Sequence, residues 1–457
     1  MAMLRPTSPR LNKADVFQRL GFVASALMVL MGGHREVWAQ TATAQVAATQ
    51  LPSGAQVKAG QANVSQSGNT LTINQSSQRA VVDWNTFNVG KDATVNFQQP
   101  NAQSSTLNRV IDSQPSQILG RIMSPGQVIL VNPQGVYFGK TSSVDVGGLV
   151  ATTHTAAADA YMQGQLKFNR NGSTGTVVNE GELRAALGGY IALLAPEVRN
   201  QGVIVANLGT VALAAGEAYE LQFDGNGALS NVQVTPATLN TLVENKQAIL
   251  APGGLVILSA QAASRLQSAV VNNTGRIEAT GLVNRGGRIV LEASGQVMNS
   301  GSLIASNVMG TAAAVGSIDV NTAQFTQTAS GVLDVSAVSA PAGRVRVAAS
   351  DSIDMSGLVL ANSTTMGGQI QLQATRRIDF DGAVLDASGA DGGGRIHVNA
   401  PGAPADNSNN TLPVQGRVAI TNQTVMRVSS SRAQAGRVEV EGDDISLDNT
   451  RIDARSE

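Results

Sequence analysis

The chain contains no cysteine in 457 residues. No disulfide can staple it, so stability has to come from stacking and burial, and no bridge can lock the chain ahead of a later transport step. Aromatic residues make up 3% and charged residues 14%, a balance that suits a narrow interior of Val, Ile, Leu and Ala inside a neutral-polar surface. The net charge of −1 leaves no excess of Lys and Arg for a phosphate-binding stripe, so no nucleic-acid partner is expected. The three histidines, His34, His154 and His397, have no neighbours at metal-ligand spacing. The glycines of Asp391-Gly392-Gly393-Gly394 are followed by no helix and form no phosphate loop. Asp-Gly pairs do not recur at the nonapeptide spacing of calcium-binding β-rolls. No cofactor is expected.

What the chain has in quantity is glycine, 48 residues, and it is placed periodically. Gly287-Arg288-Ile289-Val290-Leu291 returns as Gly316-Ser317-Ile318-Asp319-Val320, Gly343-Arg344-Val345-Arg346-Val347, Gly368-Gln369-Ile370-Gln371-Leu372 and Gly394-Arg395-Ile396-His397-Val398. These glycines are 29, 27, 25 and 26 residues apart. A second series runs between them, as in Gly275-Arg276-Ile277-Glu278-Ala279 and Gly331-Val332-Leu333-Asp334-Val335. Alternate apolar positions turn one side of each strand inward, and one repeat alone cannot bury that side. The expected fold is all-β: a right-handed parallel β-helix with an N-terminal β cap and small excursions from the helix. At about 25 residues per coil and 4.8 Å per coil, about 15–18 coils would give a rod about 70–85 Å long.

The N-terminus reads as a secretory signal, residues 1–39. A basic region with Arg5, Arg10, Lys13 and Arg19 precedes the apolar run Leu20–Met31, and Val37-Trp38-Ala39 supplies the small residues for cleavage between Ala39 and Gln40. That run falls short of the roughly 20 residues a membrane span needs. Trp84, Phe87 and Phe97 gather early and are expected to form the core of a cap over the first coil. Residues 151–170 interrupt the pattern as an excursion. Rungs are dense over 177–221, residues 225–250 are less regular with a short helix expected around 239–249, and rungs resume from Gly254. The organisation expected is a capped domain over 40–240 and a repeat region over 241–457. The chain stops right after a strand-like stretch, which is expected of the start of a longer rod.

Between residues 80 and 153 the sequence carries a specific pattern. Val82-Asp83-Trp84-Asn85-Thr86-Phe87-Asn88-Val89-Gly90 is followed by Val95-Asn96-Phe97-Gln98-Gln99-Pro100-Asn101, Leu107-Asn108-Arg109-Val110 and Gly126-Gln127-Val128-Ile129-Leu130-Val131-Asn132-Pro133-Gln134-Gly135-Val136. This run resembles the filamentous-haemagglutinin-type secretion domain of two-partner secretion exoproteins, nearest the subgroup of high-molecular-weight adhesins. The family's N-P-N-G-I signature stands here as Asn132-Pro133-Gln134-Gly135-Val136; its N-P-N-L motif has no counterpart, and Asn108 and Arg109 lie in that neighbourhood. The cysteine pair of some members is missing.

The resemblance implies a mechanism. The chain would cross the inner membrane by the general secretory machinery and present its N-terminal domain to a dedicated outer-membrane transporter with POTRA domains. It would fold outside a Gram-negative cell as a β-helix, secreted or on the surface. The passenger is expected to be an adhesin binding a host or neighbouring-cell receptor or glycan; the alternative is a haem-acquisition or cytolytic exoprotein. The same resemblance makes Asn132, Pro133, Gln134, Gly135, Val136, Asn108 and Arg109 the candidate secretion motif. From the residues alone, Asn132–Gly135 is also a plain β-turn, Pro setting one φ and Gly accepting a positive one. Secreted β-helices include polysaccharide lyases, and an active site would have to come from Asp351, Asp354, Arg376, Arg377, Asp379 and Asp381; no enzyme is expected. Asn74, Asn171, Asn362 and Asn422 stand in glycosylation triplets.

Overall fold

The computed structural model describes residues 46–456 apart from 226, 265, 282–285, 308–314 and 405–411. The expected signal segment, with His34 and the expected cleavage point at Ala39 and Gln40, lies outside the described residues. From Arg79–Trp84 to Arg437–Gly442, thirteen strands stack in parallel on one face. Two further faces of shorter strands complete each coil. One turn, for instance, runs through Thr210–Ala215, Thr241–Asn245 and Ala248–Leu250 before Leu255–Ala260 begins the next. This is a parallel β-helix.

Alternation and register explain why these residues stack. In Arg288–Ala293 the side chains of Ile289, Leu291 and Ala293 are buried and Arg288 is exposed. Because the coils pair in phase, like stacks on like. Val256, Ile289, Ile318, Val345, Ile370, Ile396 and Val438 form one column through successive register pairs. β-Branched side chains with few χ1 states fill such a column at little entropic cost. One apolar core runs without a break from Leu51 to Val428.

A second column is polar. Asn179, Asn200, Asn245, Asn273 and Asn299 are fully buried at one corner. Each amide Nδ2 donates to the Oδ1 of the next, at 2.8, 2.8, 2.8 and 2.9 Å. Asn299 Nδ2 donates on to Gln327 Oε1 at 3.4 Å, and Gln327 Nε2 closes the series on backbone carbonyls of Gly331, Ser356 and Leu358. Stacking puts each donor against an acceptor, so a buried amide column carries no unpaired group.

The N-terminal end is covered as expected. Gln56–Ala59 pairs antiparallel with Arg79–Trp84, and Ala62–Ser67 forms a hairpin with Thr70–Gln75. Trp84, Phe87 and Phe97 are buried beneath, Trp84 and Phe87 edge to face with ring centroids 5.3 Å apart.

The excursion at 151–170 is present but is only half of a larger device. Past Thr152 the chain leaves the coil through a short helix, Ala158–Met162, to the strand Lys167–Asn169. That strand pairs with Ala218–Phe223, which pairs with Leu229–Thr235 in a separate three-stranded antiparallel sheet. Residues 218–221, expected to be the end of a rung, therefore belong to this cover. The helix expected around 239–249 is instead two coil strands, Thr241–Asn245 and Ala248–Leu250. Asn245 takes its ladder position there, and register with the neighbouring coils overrides local helical preference. The two extra-helical segments take up chain that was counted as coils. Among the described residues the stack consequently has thirteen strands on its long face, not 15–18, and a length of about 60 Å.

Candidate secretion segment

The cover explains the dense apolar runs of the first half. Val81, Leu107, Ile129, Val131, Val150, Tyr190, Ala192, Leu194, Ala212 and Ala214 point away from the axis, yet they are buried under Tyr161, Phe168, Tyr219, Leu221 and Val232. Strands buried on both sides read as unbroken apolar runs, such as Val128-Ile129-Leu130-Val131 and Thr210–Ala215. His154 pins the cover. It is fully buried, its Nε2 lies 3.1 Å from the Gly216 carbonyl, and its ring sits 4.5 Å from that of Tyr219. Loss of solvent lowers its pKa to about 4 despite the Gly216 bond and nearby Glu217, so it is neutral at pH 7. Tyr219 Oη accepts from Gly216 N at 2.8 Å and donates to Ala195 O at 3.0 Å. Tyr161 Oη meets Ser105 Oγ at 2.6 Å.

The motif residues lie under and beside this cover. Asn132-Pro133-Gln134-Gly135 is a β-turn closed by Gly135 N donating to Asn132 O at 3.0 Å. It forms the corner between Arg121–Val131 and Val136–Phe138. Gly135 has φ +132°, a region that side chains with a Cβ rarely enter. Asn132 is fully buried. Its Oδ1 accepts from Gln134 N at 3.0 Å, and its Nδ2 donates to Gln114 O and to Ser116 Oγ of the preceding coil, both at 3.0 Å. On the other side Ser173 Oγ donates to Pro133 O at 2.6 Å. A Cβ on Gly175 would come 2.7 Å from that same carbonyl, so only glycine lets the following coil close over the turn. Val136 is buried and stands in register between Ser116 and Val177. Only Gln134 is exposed. The corner thus staples three coils together.

Asn108 and Arg109 sit one step closer to the cap, on Ser105–Val110. Asn108 is fully buried; its Oδ1 accepts from Trp84 Nε1 at 3.0 Å and its Nδ2 donates to the Thr106 and Ile129 carbonyls. Arg109 points the other way and holds the Asp83 carboxylate in a fork at 2.7 and 3.0 Å. Asp83 and Arg109 are direct register partners. Asn108 and Asn132 are separate inter-coil fasteners that share no hydrogen-bond partner among the described residues. Sequence reasoning overlooked the asparagine ladder and the outer core. The signals were there: Asn-x-Gly at 179–181, 200–202, 273–275 and 299–301, and apolar runs with no polar alternation.

Three of the four carboxylates considered for catalysis, Asp351, Asp354 and Asp379, stand in ion pairs. Arg376 holds Asp351 at 3.0 Å, and Arg377 bridges Asp354 at 2.8 Å and Asp379 at 3.0 Å. Asp381 accepts from Asn422 Nδ2 at 2.6 Å. Burial raises the Asp379 pKa against the opposing pull of Arg377. His397 faces outward, 3.6 Å from Glu441. Among the described residues no three His, Asp or Glu side chains gather to hold a metal ion, and no helix is long and apolar enough to cross a membrane. Of the glycosylation triplets, Asn74, Asn171 and Asn422 are exposed and Asn362 is half-buried.

Comparisons with known proteins agree on the region of the motif. Residues 48–306 match the TPS secretion domain family. The chain is 33% identical over 270 residues to a heme/hemopexin-binding protein of Haemophilus influenzae strain Rd, which covers 57% of this chain and 29% of that protein. A second Haemophilus influenzae heme/hemopexin-binding protein is 28% identical over 266 residues, 54% of this chain and 28% of its own length. The chain therefore spans less than a third of the length of these curated relatives. In structure it is similar to the HMW1 secretion domain from Haemophilus influenzae, with a TM-score of 0.67 over 89% of this chain and 99% of that one, at 22% identity. The match over more than half of the chain places it: it belongs to the TPS secretion domain family of two-partner secretion exoproteins.

Proposed function

We propose that this chain directs the export of an exoprotein through a cognate outer-membrane transporter with POTRA domains, after a leader at 1–39 has taken it across the inner membrane. Residues 40–240 carry the recognition and the capped start of the fold, and 241–457 carry the rod outward to the cell surface of a Gram-negative bacterium. The observation that supports this best is the corner at Asn132–Gly135, where one turn fastens the preceding and following coils. A chain passing a narrow pore has to be extended. It needs early coils that close as soon as they emerge, and a solenoid of neighbour-only contacts can add the rest one at a time. The motif residues Asn132, Pro133, Gln134, Gly135, Val136, Asn108 and Arg109 are read by the transporter before they fold; afterwards all but the exposed Gln134 side chain are tied into the coils.

The exported rod serves attachment, as an adhesin. A second reading has a specific observation behind it: both curated relatives are named for binding heme/hemopexin. On that reading the passenger binds a haem-carrying protein such as hemopexin. The test is co-expression of residues 1–457 with the transporter from the source strain, with transporter-free cells as control. Transporter-dependent appearance in the medium supports the proposal. Release without the transporter, or periplasmic retention in both, overturns it. Pull-down of haem–hemopexin by the released chain, against binding to host cells, then separates the two passengers.

A further inference from the structure

A groove of about 660 Å³ runs along the corner of the rod between the long face and the asparagine face, far along the chain from the secretion segment. Its floor is made of small corner residues, Ser294, Gly295, Ala323 and Ser350. The loop carrying Ser264 and Gln267 closes one end, and Val414 stands at the other. From Ala269 to Arg376 it crosses five coils, about 19 Å at the rung spacing.

The polar groups facing it repeat with the coils. Gln296 and Gln324 are register partners. Gln324 Nε2 donates to Asp351 Oδ2 at 3.0 Å, and Arg376 Nε holds Asp351 Oδ1 at 3.0 Å. Each carboxylate oxygen keeps acceptor capacity beyond the donor it already has, and Arg376 keeps further N–H groups. Gln267 donates its Nε2 to the Thr238 carbonyl, which leaves its buried Oε1 without a partner. Among the described lining residues there is one carboxylate and one guanidinium, and they neutralise each other.

An extended peptide is a poor occupant. The corner backbone is already paired coil to coil, as in Gln324 N to Gly295 O and Arg376 N to Asp351 O, so no open ladder is offered for strand addition. Hydroxyl groups, which donate and accept at once, fit a lining of spare acceptors beside spare N–H donors. A polymer of short repeat fits polar groups spaced one coil apart. We propose that this groove binds a neutral, linear oligosaccharide along the rod axis, with Asp351 and Arg376 gripping adjacent hydroxyls and Gln296 and Gln324 contacting successive sugars. Among the described residues no aromatic side chain lines the groove, so affinity rests on hydrogen bonds and should lie at about the millimolar level.

The test uses the full secreted chain, titrated with cellohexaose, chitohexaose and hexagalacturonate and followed by saturation-transfer NMR. Saturable binding of a neutral hexamer is expected. Asp351→Ala should weaken it about tenfold, since the lost hydrogen bonds involve a charged group. Ser350→Trp, at an exposed corner, should abolish it by filling the floor while the circular dichroism and melting temperature stay those of the parent. The proposal is overturned if neither neutral hexamer binds, if the uronate binds more tightly than both, or if the two folded variants bind like the parent.

Discussion

Replacing Asn132 by alanine separates a turn that matters for folding from one that matters for recognition. The side chain makes three hydrogen bonds at 3.0 Å. Two of its partners, Gln114 O and Gln134 N, belong to exposed residues and can turn to water; these bonds contribute about 0.5–1 kcal/mol each. The third, Ser116 Oγ, is buried, and orphaning it costs about 1–3 kcal/mol. Together Asn132→Ala should destabilise the early coils by about 2–4 kcal/mol, because partial relaxation offsets some of the loss. Gln134→Ala, two turn positions away, removes an exposed side chain that makes no hydrogen bond among the described residues, and should change stability by no more than about 0.5 kcal/mol. Both variants should be assayed for release into the medium with the cognate transporter, for protease resistance of the released chain, and for urea midpoint. If the turn acts by folding, Asn132→Ala loses resistance and release together while Gln134→Ala behaves like the parent. If it is read as a chemical signal, Gln134→Ala loses release with resistance intact. Should Asn132→Ala match the parent in midpoint, resistance and release, the argument for this corner is wrong.

Three other perturbations test the architecture. Asn245→Ala breaks the ladder in its middle, leaving Asn200 Nδ2 and Asn273 Oδ1 without their amide partners; a loss of about 2–5 kcal/mol is expected by denaturant unfolding, against under about 1 kcal/mol for Arg276→Ala at an exposed pair. Phe168→Ala empties the centre of the outer core, with an expected cost of about 3–5 kcal/mol; hydrogen exchange should rise in 153–175 and 216–240 and stay slow in the coils beyond 300. His154 supplies a pH test. Its folded pKa of about 4 lies below the ordinary value of 6.5, so the unfolded chain binds more protons between those limits. Stability from this residue is complete above about pH 6.5, falls as the pH drops towards 4, and amounts to about 3 kcal/mol at most. Melting temperatures of the parent should fall across that window, and those of His154→Gln should fall less; equal slopes would refute the assignment.

The parts of this molecule that were legible in the sequence are those that depend on a period. Glycine-led strands at Gly287, Gly316, Gly343 and Gly368 announce the coil because each repeat meets the same neighbours, and Trp84, Phe87 and Phe97 announce the cap because large side chains are scarce elsewhere. The cover was half-read for a physical reason. Lys167–Asn169 is a visible break, but Ala218–Phe223 alternates just as a coil strand does, and alternation reports a half-buried strand without saying which sheet it joins. The same ambiguity hid Thr241–Asn245, whose pairing with the coils on either side decides its conformation. At the candidate secretion segment the residues were named from the sequence, but their contacts in the fold were not legible. Asn132 looks like any turn asparagine until the fold brings Ser116 to its amide and Ser173 to the carbonyl of Pro133. Asn108 looks like a strand outlier until Trp84 arrives from the preceding coil. Each of these contacts joins residues 16 to 40 positions apart. They exist only when coils stack, so the motif has two physical lives: exposed polar groups on an extended chain, and buried fasteners once the following coil has closed. On the proposed function, a transporter that binds the first state would release the chain when the second forms, because the buried groups of the motif are then consumed by the fold itself.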